Sequence, residues 1–351
     1  MSLTSSPDHR HITSVFGRDL LRLGTRRRER CVHKGLEYWR NKGFPYESLS
    51  REEKLAIFRA FSRTPEQERD DNLVLGASAV GLRLANSYHP QIWHARSHGH
   101  RRSPYDYFQD DNHLRAMLRR APDFWPNRRC WSAQAVRNLA RIYAGGRVAN
   151  FRPVVARAII NRFSRRADLV VDFSAGYGGR LLAGLNLERT YVGIDPAKKQ
   201  VLGLNQMYRD FRNLTSSIVK IVRGCAEDIL PDFDRNSVDL VFSSPPFFNL
   251  EIYSDEQNQS SRRYLKYDEW RERFLRVILA QSRRILRRKG FLVINVSSSR
   301  RCPLANDTLE IASKLFTHNC TIQLAMPARP LQRAQKGGVY RTEPIYVFQK
   351  L

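Results

Sequence analysis

The chain has 351 residues, of which 42% are hydrophobic and 27% charged, so it is long and apolar enough to bury a core and form two domains. Its 60 lysine and arginine residues exceed its 34 aspartate and glutamate residues, which gives a formal net charge of +26. Such a charge is typical of proteins that bind a polyanion, and it predicts a nucleic-acid partner. No long apolar span or lipidation signal favours a membrane.

The basic excess is spread over the chain. Residues 1–150 hold 27 lysine and arginine residues and 15 acidic ones, a net +12, which leaves 33 and 19, a net +14, for residues 151–351. The charge is therefore not a detachable tail. The five cysteines are scattered, odd in number and without a C-x-x-C pair, and the start does not resemble a signal peptide. We therefore expect a reduced, cytoplasmic protein, associated with the nucleoid if bacterial.

Residues 1–146 are predicted to form a mainly helical, basic domain used for nucleic-acid recognition, with Gly145-Gly146 as the boundary signal. The arginines between Arg22 and Arg30 fit either a nucleic-acid-binding arm or a solvated helix face. A helix is expected to begin near Ser48–Glu52, because a capping residue precedes acidic residues there. A second apolar helix is predicted over residues 73–85.

Residues 86–113 are predicted to form a loop rich in histidine and aromatic side chains. His94, His98 and His100 lie close in sequence, but no cysteine pair or helical H-x-x-x-H spacing accompanies them. We therefore predict no metal site, and we expect a basic, aromatic surface for phosphates or bases.

Residues 147–351 alternate apolar strands with helices, the pattern of a doubly wound, mostly parallel α/β sheet. The last two strands lack a clear helix between them and could form an antiparallel hairpin at one end of the sheet. The seven predicted strands are Leu169–Phe173, Tyr191–Ile194, Ser217–Val222, Val238–Phe242, Phe291–Val296, Thr321–Leu324 and Ile345–Phe348.

A glycine-rich turn follows the first of these strands. In the pattern D-x-x-x-G-x-G-G, which begins at Asp172, the glycines let the backbone turn tightly and approach a ligand. Asp195 ends the second strand, and Glu227 or Asp228 follows the third. Acidic residues at three successive strand ends suit a positively charged nucleoside better than a pyrophosphate.

The fourth strand breaks at Ser244-Pro-Pro-Phe247. Two prolines cannot continue a central strand, so the chain leaves the sheet in a rigid, extended form. This segment presents a hydroxyl group, two carbonyl groups and aromatic rings beyond the end of the strand. A polar acceptor beside a flat ring suits a planar group that bears an amine.

In these motifs the sequence resembles the S-adenosylmethionine-dependent methyltransferases with a Rossmann-like class I fold. The S-P-P-F sequence resembles the [DNS]-P-P-[YFW] signature of the enzymes that methylate exocyclic amines of DNA bases. The resemblance covers roughly residues 148–351 and is closest to the γ-type order, although here the additional chain is N-terminal. It implies S-adenosyl-L-methionine as cofactor, bound by Phe151, Arg152, Pro153, Asp172, Ser174, Ala175, Gly176, Gly178, Asp195, Pro196, Glu227 and Asp228.

The resemblance also implies how the reaction proceeds. The target base leaves the double-stranded DNA, Phe247 stacks on it, and the Ser244 hydroxyl and Pro245 carbonyl accept hydrogen bonds from its amine. Serine and phenylalanine in the first and fourth motif positions favour N4 of cytosine over N6 of adenine. The catalytic residues are then Ser244, Pro245, Pro246 and Phe247.

Basic residues after the motif are expected to contact nucleic acid, namely Arg262, Arg263, Arg329, Arg333, Lys336 and Arg341. Two alternatives remain open. An RNA base could be the substrate, since phosphates of DNA and RNA look alike to arginine and lysine. The chain could also be a nucleic-acid-binding protein that keeps the fold without turnover.

Overall fold

A computed structural model describes residues 14, 16–64, 68–69, 74–75, 78–97, 101–146, 148–298, 302–325 and 342–351. The chain forms two compact units. The first comprises residues 1–47 and 90–148, and the second comprises residues 48–89 and 149–351.

The described helices are α1 (Gly17–Leu21), α2 (Thr25–Lys42), α3 (Arg51–Arg63), α4 (Leu82–Ser87), α5 (Pro104–Gln109), α6 (Asp111–Phe124), α7 (Ala133–Tyr143), α8 (Pro153–Phe163), α9 (Gly179–Asn186), α10 (Lys198–Phe211), α11 (Ala226–Ile229), α12 (Ser260–Arg263), α13 (Tyr267–Trp270), α14 (Arg276–Ile285) and α15 (Leu304–Ser313). A π-helical turn, Arg271–Leu275, joins α13 to α14. Short 3₁₀ turns cover Pro90–His94, Arg212–Leu214 and Leu230–Asp232.

The described strands are β1 (Glu68–Arg69), β2 (Val74–Leu75), β3 (Arg96–Ser97), β4 (Leu169–Asp172), β5 (Thr190–Asp195), β6 (Val219–Arg223), β7 (Val238–Ser243), β8 (Glu251–Ile252), β9 (Leu286–Asn295), β10 (Thr317–Ala325) and β11 (Thr342–Gln349).

The first unit is mainly helical, and α2 is the longest of its described helices. One face of this helix buries Val32, Leu36 and Trp39. Gly35 lies on the same face, and a Cβ atom there would come within 3.3 Å of the Trp131 ring. The absence of a side chain at Gly35 therefore lets α2 pack closely on its neighbours.

The second unit is built on a sheet whose order, in the described part of the chain, is β1-β2-β10-β11-β9-β7-β4-β5-β6. β4, β5, β6, β7 and β9 are parallel, and β11 is antiparallel to both β9 and β10. All seven predicted strands are present, so the predicted doubly wound, mostly parallel α/β sheet is confirmed. The predicted β10–β11 hairpin is also confirmed, although β2 pairs with β10 beyond it.

Helices cover both faces of the sheet. Val170 and Val171, neighbours on β4, are both fully buried and belong to different apolar clusters. Successive side chains of a strand point to opposite faces, so this pattern is expected for a central strand of a parallel sheet. Ser50 caps α3 with its side chain, as the sequence predicted for this helix start.

The predicted division of the chain into residues 1–146 and 147–351 differs from the observed one, because residues 48–89 belong to the second unit. Phe58, Phe61 and Leu84 are buried in the apolar cluster that also holds residues of α8, α9 and the sheet. The predicted helix over 73–85 was wrong over most of its length. Residues 74–75 form β2, and the helix α4 begins only at Leu82.

None of the described helices has the length and apolar character needed to cross a membrane. All five cysteines are free thiols.

Candidate active site

Three of the predicted motifs follow the carboxyl ends of adjacent strands. The order of the sheet places β4 between β5 and β7, and the chain continues from β4 to β5 on one side while β7 lies on the other. In doubly wound sheets, ligands bind outside the carboxyl ends of the strands where the winding direction reverses. The glycine loop, Asp195 and Ser244–Phe247 are therefore at the expected position of a binding site.

The glycine loop turns from β4 into α9 with two residues in the left-handed region, Gly176 at φ 55° and Gly178 at φ 76°. Gly179, which begins α9, has an ordinary φ but no room for a side chain. A Cβ atom there would lie 2.0 Å from the Phe151 carbonyl oxygen. The backbone of Phe151 thus rests directly on the loop.

Asn150 fastens the same segment to the loop, since its Nδ2 donates to the Tyr177 carbonyl at 2.8 Å. Phe151 places its ring edge-on to Phe242 at 5.5 Å. Arg152 donates through Nη1 to the Ala325 carbonyl at the end of β10, at 2.7 Å, and Pro153 begins α8. The predicted cofactor residues 151–153 therefore lie beside the glycine loop.

Asp172 is fully buried beneath this loop and its oxygens are well supplied with donors. It accepts from Arg180 Nε at 2.7 Å, from the Tyr191 hydroxyl at 2.6 Å and from the Ser243 hydroxyl at 2.7 Å. These donors come from α9, β5 and β7, so Asp172 ties three elements of the site together. Burial lowers the pKa of Arg180, but the Asp172 charge more than offsets this and the guanidinium stays protonated.

Asp195 links the end of β5 to the glycine loop. One carboxylate oxygen accepts from the Gly176 amide and the other from the Ala197 amide, both at 2.9 Å. Burial raises the pKa of this carboxyl group to about 7, although the two amide hydrogen bonds act in the opposite direction. A carboxylate has about four lone-pair sites, so Asp195 retains capacity for two further donors.

Two more of the predicted cofactor residues in the loop, Ala175 and Ser174, make hydrogen bonds through their backbone atoms. The Ala175 amide donates to the Ile194 carbonyl at 2.9 Å, and the Ser174 carbonyl accepts from Arg180. Both contacts hold the loop against β5 and α9.

The Ser244–Phe247 motif follows β7, which ends at Ser243. The Ser244 hydroxyl donates to the carbonyl oxygen of Asn295 at 3.1 Å, and Asn295 is buried at the end of β9. Because a hydroxyl has one proton and two lone pairs, this bond leaves Ser244 Oγ able to accept from another group. Pro245 is buried, whereas Pro246 and Phe247 are partly exposed.

Phe248 fixes the turn that follows the motif. Its φ is 52°, unusual for a large side chain, and the Leu250 amide donates to the Phe247 carbonyl at 3.0 Å. The Phe248 ring is buried against Tyr267 and Trp270. Packing of the Phe248 ring thus fixes the backbone next to Phe247, which lies at the end of the strand.

Residues 251–264, which come after this turn, lie across the ends of β5 and β6. Glu256 accepts from the Lys198 amide at the start of α10, at 3.1 Å, and from Arg223 at 3.1 Å. Asn258 Nδ2 donates to the carbonyl of Pro196 at 2.8 Å. The predicted cofactor residue Pro196 is therefore covered by this segment.

The same segment contacts both acids after β6. Arg263 pairs with Asp228 at 2.7 Å and with Glu227 at 2.9 Å, and the Tyr264 hydroxyl donates to Glu227 at 3.1 Å. Burial raises the pKa of the Glu227 carboxyl group. The acids predicted to contact the cofactor are thus engaged by residues 263 and 264.

Two buried side-chain atoms of the segment have no hydrogen-bond partner among the described residues. They are the acceptor Asn258 Oδ1 and the donor Gln259 Nε2. Leaving such atoms unpaired costs about 1–3 kcal/mol each, so a buried water molecule or a polar group of a ligand is the expected partner for them. The sequence around Asn258 and Gln259 gives no signal that they are buried, because both residues lie in a polar loop.

The structure also identifies Arg180, Ser243 and Asn295 as supporting residues that the sequence analysis missed. A charged residue that opens the helix after a glycine loop was a usable signal for Arg180. Asn295 offered none, because it is distant in sequence from the motif that it supports.

Only two of the six residues predicted to contact nucleic acid lie within the described part of the chain. Arg262 pairs with the exposed Asp255 at 2.9 Å, and Arg263 is engaged as described above. Arg329, Arg333, Lys336 and Arg341 lie outside the described residues, as do His98 and His100. Within the described part of the chain, no group of three or more histidine, cysteine or acidic side chains is arranged to hold a metal ion.

No family model and no curated protein matches the sequence. Among solved structures, TrmN from Thermus thermophilus aligns with 61% of this chain and 53% of its own, at 18% identity and a TM-score of 0.39. Geranyl diphosphate C-methyltransferase from Streptomyces coelicolor A3(2) aligns with 60% of this chain and 80% of its own, at 13% identity and a TM-score of 0.39. The chain thus spans about half the length of TrmN, and likenesses this weak carry no argument about the reaction.

Proposed function

We propose that the protein transfers a methyl group from S-adenosyl-L-methionine to the exocyclic amine of a flipped base in double-stranded DNA, with N4 of cytosine preferred to N6 of adenine. The observation that carries this proposal is the placement of Ser244–Phe247. The motif leaves β7 beside the glycine loop, and the hydrogen bond to Asn295 turns the Ser244 hydroxyl into an available acceptor.

The residues at the strand ends fit this cofactor. Asp195 has lone pairs left for ribose hydroxyls, and Asn258 Oδ1 and Gln259 Nε2 are a buried acceptor and a buried donor without partners among the described residues. The segment 151–153 lies beside the glycine loop, and the resemblance implies that it closes over the methionine end of the cofactor. When bound, the cofactor supplies an electrophilic methyl group on a sulfonium.

The protein's own contribution is positioning. Ser244 Oγ and the Pro245 carbonyl would accept the two N–H bonds of the target amine, which fixes the direction of its lone pair. Phe247 would stack on the base and Pro246 would keep the backbone rigid. Orientation of this kind and exclusion of water account for the rate enhancement, and the amine needs no strong base because it loses its proton readily once alkylated.

The choice of a nucleic acid over a small amine is supported by the net charge of +26. The preference for cytosine is supported only by the resemblance of S-P-P-F to the family signature, through its first and fourth letters.

The test is incubation of the purified protein with duplex DNA and S-adenosylmethionine labelled in the methyl group, followed by hydrolysis and separation of the nucleosides. We expect the label in N4-methylcytosine. Label in N6-methyladenine would correct the base, and label in RNA but never in DNA would correct the substrate. Absence of S-adenosylhomocysteine binding in calorimetry would favour a nucleic-acid-binding protein without turnover.

A further inference from the structure

We infer that one end of the first unit is a binding surface for the phosphate backbone of double-stranded DNA, made of residues other than those of the proposed methyl-transfer site. We call it the arginine surface and define it as residues 16–30 and 119–130. The inference rests on the proposed substrate, and it assigns the contact to a part of the chain that the catalytic motif does not involve.

The two segments of the arginine surface are joined by direct contacts. The Gly17 amide donates to the Arg128 carbonyl at 3.1 Å. Arg28 donates through Nη2 to the Arg119 carbonyl at 2.6 Å, and the Arg119 guanidinium pairs with Glu29 at 2.7 Å. The start of α2, the end of α6 and the turn after it therefore share one end of the unit.

The surface is strongly basic, and all of its basic residues are arginines. It contains ten arginines and no lysine, against Asp19, Glu29 and Asp123, so its net charge is 10 − 3 = +7. A guanidinium group presents a planar fork of donors that matches two phosphate oxygens, whereas an ammonium group acts as a point charge. The exposed arginines are Arg18, Arg22, Arg26, Arg27, Arg30, Arg119, Arg120, Arg128 and Arg129.

Most of this charge is not neutralised within the protein. Arg26, Arg27 and Arg30 are exposed and have no ion-pair partner in the described part of the chain. α2 also has no acidic residue in its first turn and no side-chain cap at Gly24. Three consecutive arginines, 26–28, thus lie at the positive end of the helix dipole. Their charges destabilise α2 in the free protein, and a bound anion would offset this repulsion.

Spacing along the helix favours an extended anion over a small one. Arg26 and Arg30 are four residues apart and Arg27 and Arg30 three apart, so their side chains emerge from the same side of α2. The turn at Arg128 and Arg129 extends the charge beyond the helix. Successive phosphates of a nucleic-acid strand provide such a row of anions.

The test compares two triple variants with equal loss of charge. R26Q/R27Q/R30Q removes the unpaired arginines of the surface. R51Q/R59Q/R63Q removes three exposed arginines of α3, in the second unit, and is the matched control. Binding of each protein to a labelled 30-base-pair DNA duplex is measured at several KCl concentrations, with the same duplex made of RNA as a second arm.

We expect R26Q/R27Q/R30Q to lose at least tenfold in affinity for DNA near 0.1 M salt, with a slope of log K against log [KCl] shallower by about 2 to 3, since each phosphate contact contributes about 0.9. The α3 variant should stay within about twofold of the wild type. Equal losses in both variants would mean that only net charge matters, and no loss in the first would mean that the surface does not bind DNA. Either outcome overturns the inference, as does a loss seen with RNA alone.

The proposed reaction is followed in the same preparations through S-adenosylhomocysteine calorimetry and methyl transfer. If the wild type binds DNA through the arginine surface but transfers no methyl group, the proposed reaction fails and the surface stands. If methyl transfer proceeds and the two triple variants bind DNA alike, the surface fails and the reaction stands. Thermal unfolding of each variant checks that these exposed substitutions leave the fold intact.

Discussion

At the scale of single residues, Phe247 and Phe248 are adjacent in sequence but differ in environment. Phe247 is partly exposed after β7, and Phe248 is buried against Tyr267 and Trp270. We expect Phe247→Ala to bind S-adenosylhomocysteine as the wild type does and to lose methyl transfer roughly 10- to 100-fold. The reason is that stacking on a base is worth about 1–3 kcal/mol.

Phe248→Ala is the comparison for this prediction. Removing a buried phenylalanine ring costs about 3–5 kcal/mol, so this variant should unfold at lower denaturant concentration and lose cofactor binding and activity together. Calorimetry and denaturant titration separate the two cases. If Phe247→Ala also lowered the free energy of unfolding by this amount, the Phe247 ring would be structural.

Asp195 makes the free energy of unfolding depend on pH. Burial raises its pKa to about 7, so the carboxyl group of the folded protein holds a proton at pH values where the unfolded chain, with its ordinary value near 3.8, has lost it. The unfolded state thus binds fewer protons between about pH 4 and pH 7. The free energy of unfolding should therefore fall across this window as pH rises, by up to about 1.4 kcal/mol per pH unit, and then level off. Asp195→Asn should remove this slope in denaturant titrations.

We expect the same group to set the pH dependence of S-adenosylhomocysteine binding. Ribose hydroxyls donate most strongly to an ionised carboxylate, so affinity for S-adenosylhomocysteine should rise up to about tenfold per pH unit towards pH 7 and become constant above it. Calorimetry at several pH values measures this. An affinity that does not change between pH 5.5 and 7.5 would separate Asp195 from the ligand.

At the scale of elements, the segment 251–264 connects the Ser244–Phe247 motif with the acids after β6. We expect Arg263→Ala to speed amide hydrogen exchange in this segment and to weaken S-adenosylhomocysteine binding about tenfold. Its side chain pairs with Asp228 and with the buried Glu227, which would lose a charged partner.

Arg262→Ala is the neighbouring control for Arg263→Ala. Arg262 pairs with Asp255, whose side chain is 70% exposed, and ion pairs in water contribute about 0–1 kcal/mol. Exchange rates and affinity should therefore stay close to those of the wild type. Similar effects of both substitutions would show that loss of charge, and not loss of the contact with α11, is responsible.

The sequence predicted the strands of the second unit well, because its central parallel strands contain short runs of apolar, β-prone residues, 169–171 in β4 and 240–242 in β7. The two-residue strands β1 and β2 were missed. An apolar helical pattern over residues 73–85 concealed Val74–Leu75, whose pairing with β10 depends on residues about 250 positions later. Local propensity cannot register such a partner.

The positions of Ser244 and Asp195 were predictable for a related reason. In a parallel sheet, the ends of neighbouring strands meet at one edge, so the motifs after β4, β5 and β7 had to converge. The contacts of Asn258 and Arg263 were not predictable. They depend on how a polar loop folds back over residues 196–228, and polar residues in a loop show no hydrophobic periodicity from which burial could be inferred.

At the scale of the whole molecule, the chain enters the second unit twice. Residues 48–89 belong to it although residues 90–148 separate them from the rest. Phe61 and Leu84 are fully buried in its core. Arg157 on α8 donates to the carbonyl groups of Phe61, at 2.6 Å, and of Ser62. This buried cation would lose those acceptors if the earlier segment were removed.

We therefore expect the fragment 147–351 to fail to fold by itself. Each large apolar side chain buried in residues 48–89 contributes about 1.5–3 kcal/mol, and several of them together reach the 5–15 kcal/mol by which domains are stable. A chain in which residues 48–89 are joined by a long glycine–serine linker to residues 149–351 should unfold cooperatively and bind S-adenosylhomocysteine. Circular dichroism and calorimetry compare the two proteins.

A further comparison supplies residues 48–89 to the fragment 147–351 as a separate peptide. Rescue of cooperative unfolding by the peptide would show that the segment acts through packing and not through its covalent attachment. Cooperative unfolding of the fragment alone, with cofactor affinity equal to that of the linked chain, would contradict the assignment of residues 48–89 to this core. The second unit would then begin where the sequence pattern alone placed it, at the Gly145-Gly146 boundary.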